Sequence, residues 1–307
     1  MISASLHVQS SLSMTPSLTA THFSDPGCPW AYSASPAHAV LRWRFGAQLH
    51  WRLVLIGLAE TPDRYIKSGY TPTRSAQGFE RFRRYGMPFG LQPRERVTGT
   101  GRACRLVVAA RLADPALEFA VFRALQLAQF TSTALLDTDE GLRAALARLD
   151  GTVDADALIA ALDDPQVESA YQEDRALART AAGTPTDVQG RAADTDGAVR
   201  YSAPSIRFTD AADTTLEVGG FQPLEAYDTA LANLAPALER RAPAQDPVDV
   251  LRALPYAPTT REVSACMAGN LDVPDDQAAE HALVAAAGEG VVRHEALGSG
   301  GIWHLQG

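Results

Sequence analysis

The stretch Asp25-Pro26-Gly27-Cys28-Pro29-Trp30-Ala31-Tyr32 decides the reading of this chain. It follows a short β-rich run, Leu18 to Phe23, which Pro26 and Gly27 break. Cys28-Pro29 then opens a helix reaching to about Phe45, because proline suits a first helical turn, where its missing N–H costs nothing. Pro36 lies inside that helix, so a kink is expected near Ser33 to Ser35. A cysteine at a helix N-terminus faces unpaired backbone N–H groups and the positive end of the helix dipole. Such a setting lowers a thiol pKa by roughly one to five units. Cys28 is therefore the candidate nucleophile.

Outward from this point, Trp51 to Leu58 is apolar and β-rich, as a buried central strand should be. From Glu60 to about Arg179 the pattern is helical. Arg102 to Ala113 and Leu117 to Thr131 are apolar over much of their circumference, which suits core helices. Asp137 with Glu140 resembles a capping box for a helix to Leu149. Asp154 caps a short helix to Leu162. Asp164-Pro165 begins a helix over Gln166 to Ala182 that Gly183 ends. Strands return at Arg200 to Phe208 and Thr215 to Gly219, followed by a helix from Pro223 to Glu239. The order describes an α/β domain over 18–241 whose single sheet carries a large helical insertion at about 60–183. A linker at Ala242 to Pro247 leads to residues 246–307. These read as three helices and two short strands, Val291 to Glu295 and Gly301 to Leu305: a small winged-helix-like α+β module.

The whole chain sets limits. It has 307 residues, 46% hydrophobic and 21% charged, without an apolar run long enough to span a bilayer, so no membrane partner is expected. A net charge of -9 argues against nucleic-acid binding, which needs a concentrated positive field. The C-terminal module has Arg252, Arg261 and Arg293 against nine acidic residues, and its expected role is packing or dimerisation rather than DNA binding. Residues 1–17, rich in Ser and Thr, read as a disordered tail without the features of a secretory signal, which makes the cytoplasm the expected location. Cys28, Cys104 and Cys266 are too few and too far apart for a disulfide framework or a metal site.

The second informative stretch is Tyr201-Ser202-Ala203-Pro204-Ser205-Ile206, a proline at the head of a strand, where it must sit at an edge, a bulge or a cis bond. Together, Asp-Pro-x-Cys-Pro-Trp-x-Tyr after a first strand, a helical insertion, and a later Ala-Pro-Ser resemble the cytoplasmic DsbA-like family. That family includes the FrnE-type proteins, with the 2-hydroxychromene-2-carboxylate isomerases and kappa-class glutathione transferases as relatives. Gly219-Gly220-Phe221-Gln222-Pro223 is similar to the family's join between last strand and last helix. The resemblance covers about 21–240. It implies a thioredoxin-like sheet, Cys28 as nucleophile, Pro29 and Trp30 as contact residues, Pro204 as a cis-proline facing the thiol, and Ala203 offering backbone groups to a ligand.

One departure matters. Dithiol members have Cys-x-x-Cys, and here the last position is Ala31. An isolated thiol forms a mixed disulfide that no neighbour within the motif resolves. Three routes follow: an external thiol of the glutathione or mycothiol type resolves it; the site binds and activates such a thiol; or Cys104 resolves it. Cys104 occupies the place of a histidine in the family's Asn-Thr-x-x-Ala-His-Arg-Leu stretch, though its plainer role is that of a core cysteine on an apolar helix. Cys266 reads as structural. His22 and His38 lie near Cys28 in sequence but are poorly placed for acid–base work. The expected function is thiol–disulfide oxidoreduction on a small-molecule thiol or protein disulfide, with no covalently bound cofactor. The alternatives are a thiol-dependent transferase or isomerase acting on a small electrophile, and a non-catalytic scaffold. A homodimer is compatible with either.

Overall fold

The computed structural model describes residues 18–149, 151–194 and 197–306; the expected tail at 1–17 lies outside them. Chain order begins β1 (Leu18–Ser24), α1 (Pro29–Ser33), α2 (Ser35–Phe45) and β2 (Leu49–Leu55). Helices follow: α3 (Asp63–Lys67), α4 (Pro72–Phe82), α5 (Gly101–Ala113), α6 (Glu118–Thr131), α7 (Asp139–Leu146), α8 (Ala155–Ala160), α9 (Pro165–Ala178) and α10 (Pro185–Val188). After β3 (Ala192–Ala193) and β4 (Arg200–Tyr201) come β5 (Ser205–Asp210), β6 (Thr215–Val218) and α11 (Leu224–Leu234). The chain closes with α12 (Pro247–Ala253), α13 (Thr260–Met267), α14 (Asp276–Gly288), β7 (Val292–Leu297) and β8 (Gly300–Leu305).

The main sheet has the order β2-β1-β5-β6, with β1 parallel to β2 and antiparallel to β5. Both faces of β1 are covered, which is why it is nearly all buried instead of alternating. Register explains the site. The last pair between β1 and β5 is Phe23 with Ser205, so the chain leaving β1 toward Cys28 passes beside the chain entering β5 from Ala203-Pro204.

The break expected near Ser33 to Ser35 is there: α1 and α2 meet at Ala34, with Pro36 in the first turn of α2. Other expectations need correcting. Thr138, not Asp137, caps α7: its hydroxyl accepts from the Gly141 N–H at 3.1 Å, while Asp137 pairs with Arg96. The hydroxyl lies one bond nearer the backbone than a carboxylate, and Asp137 is the better partner for a guanidinium. The second strand ends at Leu55, earlier than Leu58, because the Leu58 N–H turns aside to the Asp25 carboxylate. α9 stops at Ala178, short of Gly183. The stretch from Arg200 divides into β4 and β5 around Ser202-Ala203-Pro204, where proline cannot donate to a ladder.

The insertion packs as its own layer, with α5 and α6 contributing Leu106, Val107, Val121 and Leu125 to a core that reaches Leu53 and Leu55 of β2. The C-terminal module is not loosely tethered. Val263 and Cys266 of α13 share a core with Ala39, Val40 and Trp43 of α2, alongside Leu283 and Trp303. Glu262, wholly buried, forms a capping box with Thr259 and also pairs at 2.5 Å with Arg123 of α6. The β7–β8 turn reaches Phe89, whose N–H donates to the Ser299 hydroxyl at 3.1 Å. The module therefore braces the helix that follows the thiol and the insertion at once.

Candidate active site

Cys28 is the N-cap of α1, and the first bond of that helix runs from the Tyr32 N–H to the Cys28 carbonyl at 3.0 Å. Pro29 follows in the first turn. The turn before it is closed by the Cys28 N–H donating to the Asp25 carbonyl at 3.1 Å. Gly27 is demanded by close approach: a Cβ there would fall 2.4 Å from the Thr100 methyl. Tyr32 anchors the other end of α1 in an aromatic cluster, stacked on Phe130, with its hydroxyl donating to the Pro88 carbonyl at 3.1 Å.

The Ala203–Pro204 peptide is cis, and the Cys28 thiol donates to the Ala203 carbonyl at 3.2 Å. Thus the structure brings Cys28, Pro29, Ala203 and Pro204 to one place. Trp30 is 40% exposed at the rim, edge-on to Phe82 of α4 at 4.8 Å and tilted against Phe221 at 5.3 Å. Ala31, 2% exposed, holds the position where a second thiol would have to stand.

The thiol's acidity runs opposite to the sequence expectation. Cys28 is only 5% exposed, and burial pushes its pKa up to about 12. The Ala31 and Trp30 N–H groups and Arg200 act in the lowering direction, as a helix N-terminus should, while the Asp25 carboxylate raises it further. Desolvation of a thiolate outweighs two N–H groups and a partial dipole charge here. Donation of the S–H to Ala203 also favours the neutral form.

Asp25 stands in the opening motif, but its role emerges only from the fold. It is wholly buried, and its carboxylate accepts from the Gly27 N–H at 2.8 Å, the Leu58 N–H at 2.7 Å and the Thr100 hydroxyl at 3.1 Å. The Cys104 thiol donates to it at 3.5 Å. Burial raises the Asp25 pKa, and these four donors oppose that rise. Asp25 is thus the hub that ties the Cys28 turn to the end of β2 and to the start of α5. A carboxylate three residues before the cysteine, flanked by turn formers, was the available signal. Cys104 is wholly buried on α5; its thiol is engaged with Asp25, and burial holds its pKa well above the ordinary value. It does not line the cavity that opens onto Cys28. Cys266 is buried in the C-terminal core.

That cavity, about 440 Å³, lies between the head of α1 and the insertion. Tyr65, Tyr70, Phe79 and Phe82 give it an aromatic wall, and Arg74, Arg81, Arg94 and Arg96 give it a basic one. His22 and His38 lie away from it, edge-to-face at 4.7 Å in the core beside Trp51. Burial holds His22 well below the ordinary imidazole range and His38 down to about 3, with the Arg42 guanidinium adding to both. Among the described residues no group of three or more His, Cys, Asp or Glu side chains is placed to hold a metal ion, and no helix is long and apolar enough to cross a membrane.

No curated protein matches the chain in sequence. Among solved structures, the cytosolic disulfide reductase DsbM from Pseudomonas aeruginosa is 21% identical with a TM-score of 0.50, covering 71% of this chain and 100% of that one. A probable DsbA oxidoreductase from Streptomyces coelicolor is 18% identical with a TM-score of 0.52, over 74% of this chain and 93% of that one. A Nitrosomonas europaea protein provisionally designated a protein disulfide isomerase is 17% identical at 0.52, over 70% and 96%. At these identities the likeness is one of fold. In sequence, residues 19–203 match the DSBA-like thioredoxin domain, and with Cys28 and Ala203 inside that span the chain belongs to the DSBA-like thioredoxin domain family.

Proposed function

We propose that the protein is a single-cysteine thiol–disulfide oxidoreductase, in which Cys28 exchanges with a small disulfide and an external low-molecular-weight thiol completes the cycle. One observation carries the reading: Cys28 heads α1 against the Ala203 carbonyl and opens on the 440 Å³ cavity, while Ala31 fills the resolving position. The Cys28 thiolate attacks one sulfur of R–S–S–R. That bond breaks, RS⁻ leaves with the electron pair and takes a proton, and Cys28–S–S–R remains. An incoming thiolate R′S⁻ attacks the R sulfur, releases R–S–S–R′ and restores the Cys28 thiolate. A glutathione- or mycothiol-type thiol suits the second step. The reductase designation of the Pseudomonas neighbour accords with this direction, and a reducing cytoplasm would supply the thiol.

The raised pKa has a cost. Each unit by which a thiol pKa exceeds the ambient pH cuts the thiolate about tenfold and returns only about threefold in nucleophilicity. Exchange is therefore expected to accelerate as pH rises. The same raised pKa favours a second reading, in which neutral Cys28 donates its S–H to the thiolate of a bound external thiol that attacks a small electrophile.

Steady-state reduction of hydroxyethyl disulfide by glutathione separates the two. The first reading expects ping-pong kinetics, loss of turnover in Cys28→Ser and retention in Cys104→Ser. Turnover that survives Cys28→Ser in a folded protein would sink it.

A further inference from the structure

We infer that the cavity over Cys28 selects an anionic ligand: a small disulfide or thiol bearing carboxylates, held by the guanidiniums of Arg74, Arg81 and Arg94. The inference rests on the proposed exchange at Cys28 for its chemistry but not for its binding. The chain carries a net charge of -9, yet four arginines line this cavity and, among the described residues, no aspartate or glutamate does. Their partners decide which charges are free to act. Arg96 makes two bonds to the Asp137 carboxylate, at 2.6 and 2.8 Å, and is neutralised. Arg94 donates to the Ala134 carbonyl at 3.1 Å, to the Gln129 carbonyl and to the Ser132 carbonyl, and so caps the C-terminal end of α6 without meeting a full negative charge. The Arg74 guanidinium donates only to the Gly69 carbonyl, at 3.1 Å, and the Arg81 guanidinium has no hydrogen bond or ion pair among the described residues. Three of the four guanidiniums are thus uncompensated by a carboxylate.

Burial already depresses the Arg94 pKa to about 10, so an anion in the cavity would relieve a real cost. The acidic surface does not cancel this field, since at physiological ionic strength exposed charges are screened beyond about 8 Å. Guanidiniums bind carboxylates through paired, directional bonds. The aromatic wall beside them suits an apolar body between the charged end and the sulfur that must reach Cys28. Asp25, buried beneath the thiol, is the acidic group facing this end of the cavity and disfavours an anion bound against the sulfur itself. The ligand's charge must therefore lie away from the sulfur, toward Arg74, Arg81 and Arg94.

The test uses three small disulfides of similar size: dithiodipropionate (dianionic), hydroxyethyl disulfide (neutral) and cystamine (dicationic). Each enzymatic rate is divided by the rate of the same disulfide with free glutathione. The dianion should be preferred over the dication by roughly tenfold or more, as two or three partly screened contacts imply. The Arg74→Gln/Arg81→Gln variant should cut the dianion-to-neutral ratio by about fivefold. Equal normalised rates overturn the inference and leave exchange at Cys28 standing. If no disulfide reacts, exchange itself fails, and calorimetry with the unreactive thioether thiodipropionate still decides the cavity. Binding of that dianion, weakened in the double variant, upholds the inference; no binding overturns it.

Discussion

The Cys28 thiol lies 3.2 Å from the Ala203 carbonyl, 175 residues further along the chain, and donates its proton there. This bond exists only for the neutral thiol. An ionised sulfur would face the carbonyl oxygen with nothing between them. The same contact links the head of α1 to the head of β5. The position of this thiol and its acidity are set together by one feature of the fold.

Alkylation of Cys28, measured in a Cys104→Ser, Cys266→Ser background, should climb about tenfold per pH unit from about pH 8 upward, without a plateau near neutrality. A thiol whose pKa is raised on folding from 9.0 to about 12 contributes stability that is full below about pH 9 and is lost as pH rises toward 12. A plateau below about pH 8.5 would contradict the burial argument.

Asp25→Asn removes a carboxylate that raises the Cys28 pKa. The amide can still accept from one N–H, but it cannot satisfy both the Gly27 and Leu58 donors along with Thr100. Alkylation at a fixed alkaline pH should quicken, while stability falls by about 1–3 kcal/mol for the donor left buried. Slower alkylation in this variant would reverse the assigned role of Asp25.

Glu262→Gln tests the brace between the module and α6. The amide oxygen can keep the capping contact with Thr259, yet Arg123 is left buried without its carboxylate. A loss of about 3–5 kcal/mol is expected in denaturant unfolding, with partial recovery when Arg123→Met is added. Equal losses in the single and double variants would show that the ion pair is not the cause.

Acid unfolding tests the buried imidazoles. The pKa of His38 falls from 6.5 to about 3 on folding, so its stabilising contribution is complete above pH 6.5 and is lost as pH drops toward 3. That loss is on the order of 4 kcal/mol, and His22 adds to it in the same direction. The variant His38→Phe should unfold at a lower pH than the parent; an unchanged acid midpoint would remove His38 from the account.

How much of this was legible beforehand varies by residue. Cys28-Pro29 and Ala203-Pro204 announce themselves because proline and a helix-capping position are local features, and β1 and β5 then bring them together by register. Capping preference favours Asp137 as readily as Thr138, and it does not reveal that Arg96 competes for the carboxylate. The direction of the Cys28 shift is hidden for a related reason. The dipole of α1 can be inferred from sequence, but the burial of Cys28 to 5% exposure is set by the tertiary fold. The arginines of the cavity come from α4 and the 92–97 segment, and no local spacing joins them.

The most direct measurement is intact-protein mass spectrometry after exposure to a small disulfide, followed by an external thiol. Exchange at a lone Cys28 predicts one adduct, mapped to Cys28, that persists until the thiol is added and never forms in Cys28→Ser. An adduct that gives way to an internal Cys28–Cys104 disulfide, or no adduct at any alkaline pH, would contradict it.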